Sequence, residues 1–177
     1  MAAHVLRAAP LTREGFAPFG DVIDTDGARH YPINRGAVER YHDLAPVDVG
    51  DDGRTLVNIF ECRQPATLPL TVEIIERHPL GSQAFIPMDG AVMCIVVAPP
   101  GDEVAPGDLR AFVSNGRQGV NYHRGTWHMP LAAFRAGQRF VVVDRGGPGD
   151  NCEERDLGAS ADIIVDAASI REAGVEA

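Results

Sequence analysis

The chain has 177 residues, a net charge of −9 and no lysine, so all 16 of its basic residues are arginine. Without lysine there is no side-chain Schiff base, no lysine-anchored pyridoxal phosphate and no lysine-bearing phosphate loop. No basic stripe interrupts the acidic balance, which excludes nucleic acid as a partner but leaves room for a small anionic substrate held by local arginines.

The length predicts a single domain over 1–177 with one sizeable core, and the region from about 154 onward is its least legible part. No stretch approaches the roughly 18 apolar residues of a membrane span. Arg7, Arg13 and Glu14 occupy the place where a secretory signal needs an apolar core, so the expected location is cytoplasmic. Cys62, Cys94 and Cys152 are odd in number and form no C-x-x-C pair, which argues against a disulfide framework and a zinc ribbon.

In chain order, Thr12 is placed to cap a short helix through Phe19, closed by Gly20. Short segments rich in Val, Ile, Phe and Leu follow: 55–60, 70–75, 83–88, 92–97, 109–113, 120–123 and 140–143. Turn signals such as Met88-Asp89-Gly90, Pro99-Pro100-Gly101 and Ser114-Asn115-Gly116 separate them. The pattern predicts an all-β sandwich or barrel with a few short helices, ending in a frayed helix over 167–177. The apolar run Ala91–Ala98 reads as a buried strand, with an edge available for pairing between copies if it is not wholly internal.

Two stretches carry chemistry. Strand alternation puts Leu70, Val72 and Ile74 on one face and then continues to Glu76 and His78, an apolar stripe that turns into a carboxylate and an imidazole. Barrel strands do this where the mouth holds a polar site, although a strand running out into solvent does it too. The second stretch, Gly119 to Pro130, sets His123 and His128 around Gly125, with Tyr122 and Arg124 beside them. Imidazoles supply proton transfer or metal ligation, and a guanidinium can hold a carboxylate through two parallel hydrogen bonds. An exposed polar hairpin with Trp127 as a core aromatic is the competing reading. Arg145 follows Val141 and Val143 in a similar apolar-to-polar switch, which a strand-closing salt bridge would also produce.

These spacings resemble the cupin motifs. Glu76-x-His78, four residues, Gln83, six residues and Gly90 keep the first spacing, and His123-x-Gly125-x-x-His128 keeps the second. The resemblance implies a double-stranded β-helix, or jelly-roll barrel, whose motif positions commonly bind a divalent metal. Here Glu76, His78, Gln83 and His128 would be the ligands, with Glu76 and Gln83 departing from the usual residue types. Longer words are similar to the ureidoglycolate lyase family: Val38 to Leu44, Glu76 to Met88, Gly119 to Leu131, and Asp144-Arg145-Gly146-Gly147. That likeness implies cleavage of (S)-ureidoglycolate to glyoxylate and urea in allantoin breakdown. It also implies a cytoplasmic homodimer and one divalent transition metal, nickel foremost, with no organic cofactor.

The candidate catalytic residues are therefore Glu76 or His78 as base and His123 or His128 as acid, with Arg124 or Arg40 on the substrate carboxylate. Tyr122 and Gln83 are expected to orient the substrate. Arg145, and more weakly His42 beside Arg40, are further candidates for the site. A ureidoglycolate amidohydrolase and a ligand-binding cupin without catalysis are the competing functions.

Overall fold

A computed structural model describes residues 4–158 and 163–172. The chain begins with β1 (His4–Leu6), β2 (Ala8–Pro10), α1 (Arg13–Phe16), β3 (Gly20–Ile23), β4 (His30–Ile33), β5 (Val38–Tyr41) and β6 (Arg54–Glu61). Next come β7 (Leu70–Thr71), β8 (Ile74–Arg77), β9 (Gln83–Pro87), β10 (Met93–Ala98), β11 (Arg110–Val113) and β12 (Gly119–Tyr122). The described chain ends with β13 (Trp127–His128), β14 (Ala132–Ala133), β15 (Arg139–Gly146), β16 (Glu153–Asp156), β17 (Ile163–Val165) and α2 (Ala167–Glu172).

Two sheets face each other. One runs β16-β8-β13-β10-β11-β2, with β14 also paired to β10, and the other runs β3-β12-β9-β15-β6. Between them lies an aromatic-rich core that includes Phe16, Phe85, Phe112, Tyr122 and Phe140. A second core, with Val72, Ile75, Val96, Trp127, Ile163 and Ile170, lies on the far side of the first sheet. The small sheet β1-β17-β7 and α2 contribute to it. The fold is all-β and cupin-like, but hydrogen bonding leaves both sheets open, so the expected barrel is a pair of facing layers.

β10 shows why its sequence is apolar throughout. Met93, Ile95 and Val97 enter the first core, while Cys94, Val96 and Ala98 enter the second. A strand buried on both faces loses the usual alternation. It also has neighbours on both sides, so the run Ala91–Ala98 offers no edge to a second copy.

The helix expected to reach Phe19 is a single turn. Thr12 caps it as expected, its Oγ1 accepting from the Gly15 amide at 3.1 Å. Gly20 opens β3 instead of closing the helix. There it pairs with Tyr122, where a Cβ would collide with the backbone carbonyl of Asn121.

The strand expected over 70–75 breaks in two, because β7 pairs with β17 whereas β8 pairs with β13 and β16. The alternation shifts across the break: Val72 and Ile75 are both fully buried, while Ile74 is 40% exposed. A count carried unbroken from Leu70 therefore assigns Ile74 wrongly to the interior. The C-terminal region contains two strands that were not foreseen. Of the helix expected over 167–177, residues 167–172 are helical and 173–177 lie outside the described residues.

Candidate metal and active site

The antiparallel register of β8 and β13 sets Glu76 directly opposite His128. Tyr122, from the facing sheet, stacks on the His128 ring at 4.1 Å between centroids and 15° between planes. His78, just past β8, brings its ring to 5.2 Å from that of His128. One donor atom from each of Glu76, His78 and His128 lies within 4.8 Å of the other two. Gly125, at a φ of 77°, makes the turn before β13, and its amide donates to the His78 carbonyl at 2.9 Å. The two motif segments are thus tied together through their backbones.

The polar groups of this trio are satisfied on their outer side and unsatisfied on their inner side. His78 Nδ1 lies 2.6 Å from the Asn151 carbonyl and His128 Nδ1 lies 3.2 Å from the Thr126 carbonyl. A carbonyl only accepts, so each Nδ1 carries a proton, and in a neutral ring the lone pair then lies on the inward Nε2. Both Nε2 atoms are buried without a hydrogen-bond partner. His128 Nε2 sits 3.3 Å from Glu76 Oε1 without the alignment of a hydrogen bond.

Burial pushes the His128 imidazole below its ordinary pKa, against the opposing pull of Glu76, and favours the neutral ring. The Glu76 carboxyl is held below its usual range, chiefly by the His128 contact and despite partial burial. A proton shared between them would have to leave Nδ1 and set two acceptors against each other at Thr126. With the proton kept on Nδ1, a neutral His128 sets its Nε2 3.3 Å from a Glu76 oxygen, two acceptors that only a proton or a cation between them reconciles. Two inward imidazole nitrogens and a carboxylate thus converge, the nitrogens without a hydrogen-bond partner. Buried acceptors left unpaired need an explanation, and a two-histidine, one-carboxylate set oriented by backbone carbonyls is compatible with a metal ion.

Gln83 faces the same interior. It pairs in register with Tyr122 and donates to the Asp144 carboxylate, while its own Oε1 is buried with no partner. Asn58 Nδ2 also donates to Asp144, at 3.0 Å. Burial raises the Asp144 carboxyl above its ordinary value. Burial likewise raises the Tyr122 phenol, so it remains a neutral donor. Cys152 Sγ lies 3.8 Å from Glu76 Oε2, and its thiol is raised first by burial and then by the nearby carboxylates. A cavity of about 470 Å³ opens in front of Glu76, lined also by Phe60, Glu61, Arg63, Phe85 and Leu131.

Other residues singled out in the sequence lie elsewhere. His123 Nε2 is exposed and sits 2.9 Å from Asp21 Oδ2. Arg124 forks onto Asp48 at 2.8 and 2.5 Å, which holds that carboxyl below its usual range. Arg145 Nε donates to the Val49 carbonyl at 2.9 Å. Arg40 belongs to the β4-β5 hairpin, its guanidinium 5.9 Å from the centre of the Tyr31 ring, with His42 just beyond. Trp127 is the core aromatic that the competing reading expected, with the guanidiniums of Arg77 and Arg155 at 4.7 and 5.0 Å from its ring centre.

The sequence reading missed Asp144, Asn58, Asn151 and Cys152. The signal for Asp144 was present: Phe140 and Val142 are fully buried, and the next alternate position is Asp144, not Arg145. Nothing local marks Asn151, whose role comes from its backbone carbonyl.

Facing β-layers that bring two histidines to a carboxylate, with that carboxylate lining a cavity, define a cupin-like enzyme with a centre compatible with a metal. Residues 3–164 match the profile of the ureidoglycolate lyase family. The chain is 54% identical to the ureidoglycolate lyase of Burkholderia cepacia, an alignment covering 85% of each chain. With that of Pseudomonas putida (strain W619) it shares 53% identity over 85% of this chain and 90% of the relative. For that of Burkholderia mallei (strain NCTC 10229) the figures are 54%, 92% and 95%. The chain belongs to the ureidoglycolate lyase family.

Proposed function

We propose that this chain cleaves ureidoglycolate, in the S configuration, to glyoxylate and urea. The observation that carries the chemistry is the inward convergence of His78 Nε2, His128 Nε2 and Glu76, with both nitrogens buried and unpartnered. The substrate is a carbon bearing a hydroxyl, a carboxylate and a ureido nitrogen. Its cleavage moves one proton from the hydroxyl to that nitrogen, while the O–H electron pair becomes the carbonyl and the C–N bond breaks.

His78, His128 and Glu76 would hold one divalent transition metal, with nickel as the ion the family likeness suggests. When bound, that ion supplies Lewis acidity toward substrate oxygens. Glu76 is ionised, lines the cavity and has two oxygens, so one is free to work while the other faces His128. It accepts the hydroxyl proton and returns it to the departing nitrogen, acting as both base and acid at one carboxyl. The Gln83 oxygen, buried and unpaired, accepts from the ureido N–H, and the Tyr122 stack fixes the plane of the His128 ring. His123, Arg124 and Arg145 have no part in proton transfer, because each is already engaged outside the trio.

The protein acts in the cytoplasm as a homodimer. Val57 and Ile59 are 71% and 55% exposed on β6, which lies at the end of its sheet. The β4-β5 hairpin forms a sheet of its own, and an isolated two-stranded hairpin is marginal in water. Among the described residues no helix is long and apolar enough to cross a membrane. Light scattering coupled to size exclusion tests the pairing, with twice the chain mass expected.

Product analysis tests the activity. Purified protein given ureidoglycolate should release urea and glyoxylate in equal amounts above the spontaneous rate. Ammonia in place of urea would assign the chain to amidohydrolysis.

A further inference from the structure

The arginines expected to hold the substrate carboxylate do not line the cavity in front of Glu76. The charged side chains that line it are Glu61, Arg63 and Glu76. Two of these are carboxylates and would repel an anionic ligand, so Arg63 is the cation that an anion entering this cavity meets. Among the described residues, Arg63 forms no ion pair and no hydrogen bond through its guanidinium, unlike Arg77, Arg124, Arg139 and Arg145.

Its backbone position is fixed on both sides. The Cys62 amide donates to the Gln138 carbonyl and the Cys62 carbonyl accepts from Gly137, both at 2.8 Å, while the Ala66 amide donates to Ala133 at 2.8 Å. Arg63 is thus an exposed, unpaired guanidinium on a backbone held to either side. The rest of the lining includes the apolar surfaces of Phe60, Phe85, Pro130 and Leu131, against which a charge–charge contact is less screened than in open water.

We infer that Arg63 is the residue that captures the substrate's carboxylate, orienting its hydroxyl-bearing carbon toward Glu76. The inference rests on the lyase reading above and adds the anchor that reading lacks. Arg63 is a binding and specificity residue, so its loss should raise KM far more than it lowers kcat. It also makes the site selective for 2-hydroxy acid adducts of urea over neutral carbinolamides.

The test is calorimetric titration of glyoxylate, the carboxylate product, into wild type, Arg63→Lys, Arg63→Met and Arg124→Met. Arg63 is exposed and its contact is screened by water, so losing the fork weakens binding on the order of 10-fold. That loss is expected for Arg63→Met, a partial loss for Arg63→Lys, and none for Arg124→Met. N-(hydroxymethyl)urea, the substrate without its carboxylate, should bind wild type and Arg63→Met alike, which a merely structural role would not produce. Glyoxylate affinity in Arg63→Met equal to wild type would overturn the assignment and leave the lyase reading intact. Equal losses for the neutral compound would overturn it as well. A wild type that neither binds glyoxylate nor releases urea would overturn the reading on which the inference rests.

Discussion

The trio at β8 and β13 and the His123-Arg124 turn contain similar residue types, with His128 only five positions from His123, yet they sit in opposite situations. At the turn both side chains have partners: His123 Nε2 lies 2.9 Å from Asp21, and Arg124 is forked by Asp48. In the trio the histidine protons point outward to backbone carbonyls, and the lone pairs point inward at nothing that donates. Residue type alone does not separate a site from a solvated ion pair. Unmet hydrogen-bonding capacity in a buried place does, because leaving it unmet costs free energy unless a ligand, metal or substrate supplies the partner.

The sharpest way to break this contrast is Glu76→Gln. The amide keeps the shape but cannot carry the proton, so kcat should fall about 10²–10⁴-fold with unchanged circular dichroism. His123→Asn, measured alongside, should stay within a few-fold of wild type. Parity between the two variants would erase the distinction.

Metal binding gives the next largest effect. Divalent nickel should raise the melting temperature of chelator-treated wild type, since a ligand that binds only the folded state stabilises it. The same addition should leave His78→Ala unmoved. Equal shifts in both proteins would place the ion elsewhere.

A smaller effect is expected one step out, at Asn151. Its carbonyl orients His78, and its Oδ1 accepts from the Leu80 amide at 2.8 Å. Asn151→Ala removes the side-chain anchor, and metal affinity should fall about 10-fold, at the lower end of what losing such a support costs. Chelator competition reads the change.

The smallest effect concerns Asp144, whose carboxyl burial raises. A folded-state pKa above the unfolded one contributes stability at low pH that is lost as pH rises through the folded value. Wild type therefore carries a cost at neutral pH that Asp144→Asn escapes. The variant should melt slightly higher at pH 7.5, and its advantage should shrink as pH is lowered toward 4. An advantage that grew toward acid would reverse the sign.

Much of this architecture was legible in the chain itself. The apolar segments and glycine turns marked seven strands, and the alternation around Glu76 and His78 pointed to a shared face that the cluster bears out. Short strands such as β13 and β16 escaped because two to four residues carry no period, and their pairing is set by distant partners. The break at 72–73 was invisible for a related reason. Amides at Leu157 and Gly158 both donate to the Glu73 carbonyl, a tie from more than eighty positions away that no local pattern encodes. Arg145 and Asp144 were confused by a one-residue slip, which in a strand exchanges inside for outside.

The pairing of β1 with β17 bears on how the molecule is made. His4 to Leu6 lie in parallel register with Ile163 to Val165, and the Ala8 amide reaches Ser169 Oγ at 2.9 Å. The second core draws Leu6 from one of these segments and Ile163, Val165 and Ile170 from the other. During synthesis at about 5–20 residues per second, the apolar backs of β10 and β11 must therefore wait uncovered until nearly the whole described chain has emerged. The layer that carries Glu76 and His128 receives its cover last, so a nascent chain stalled before Ile163 presents a sticky half-molecule that chaperones would have to shield.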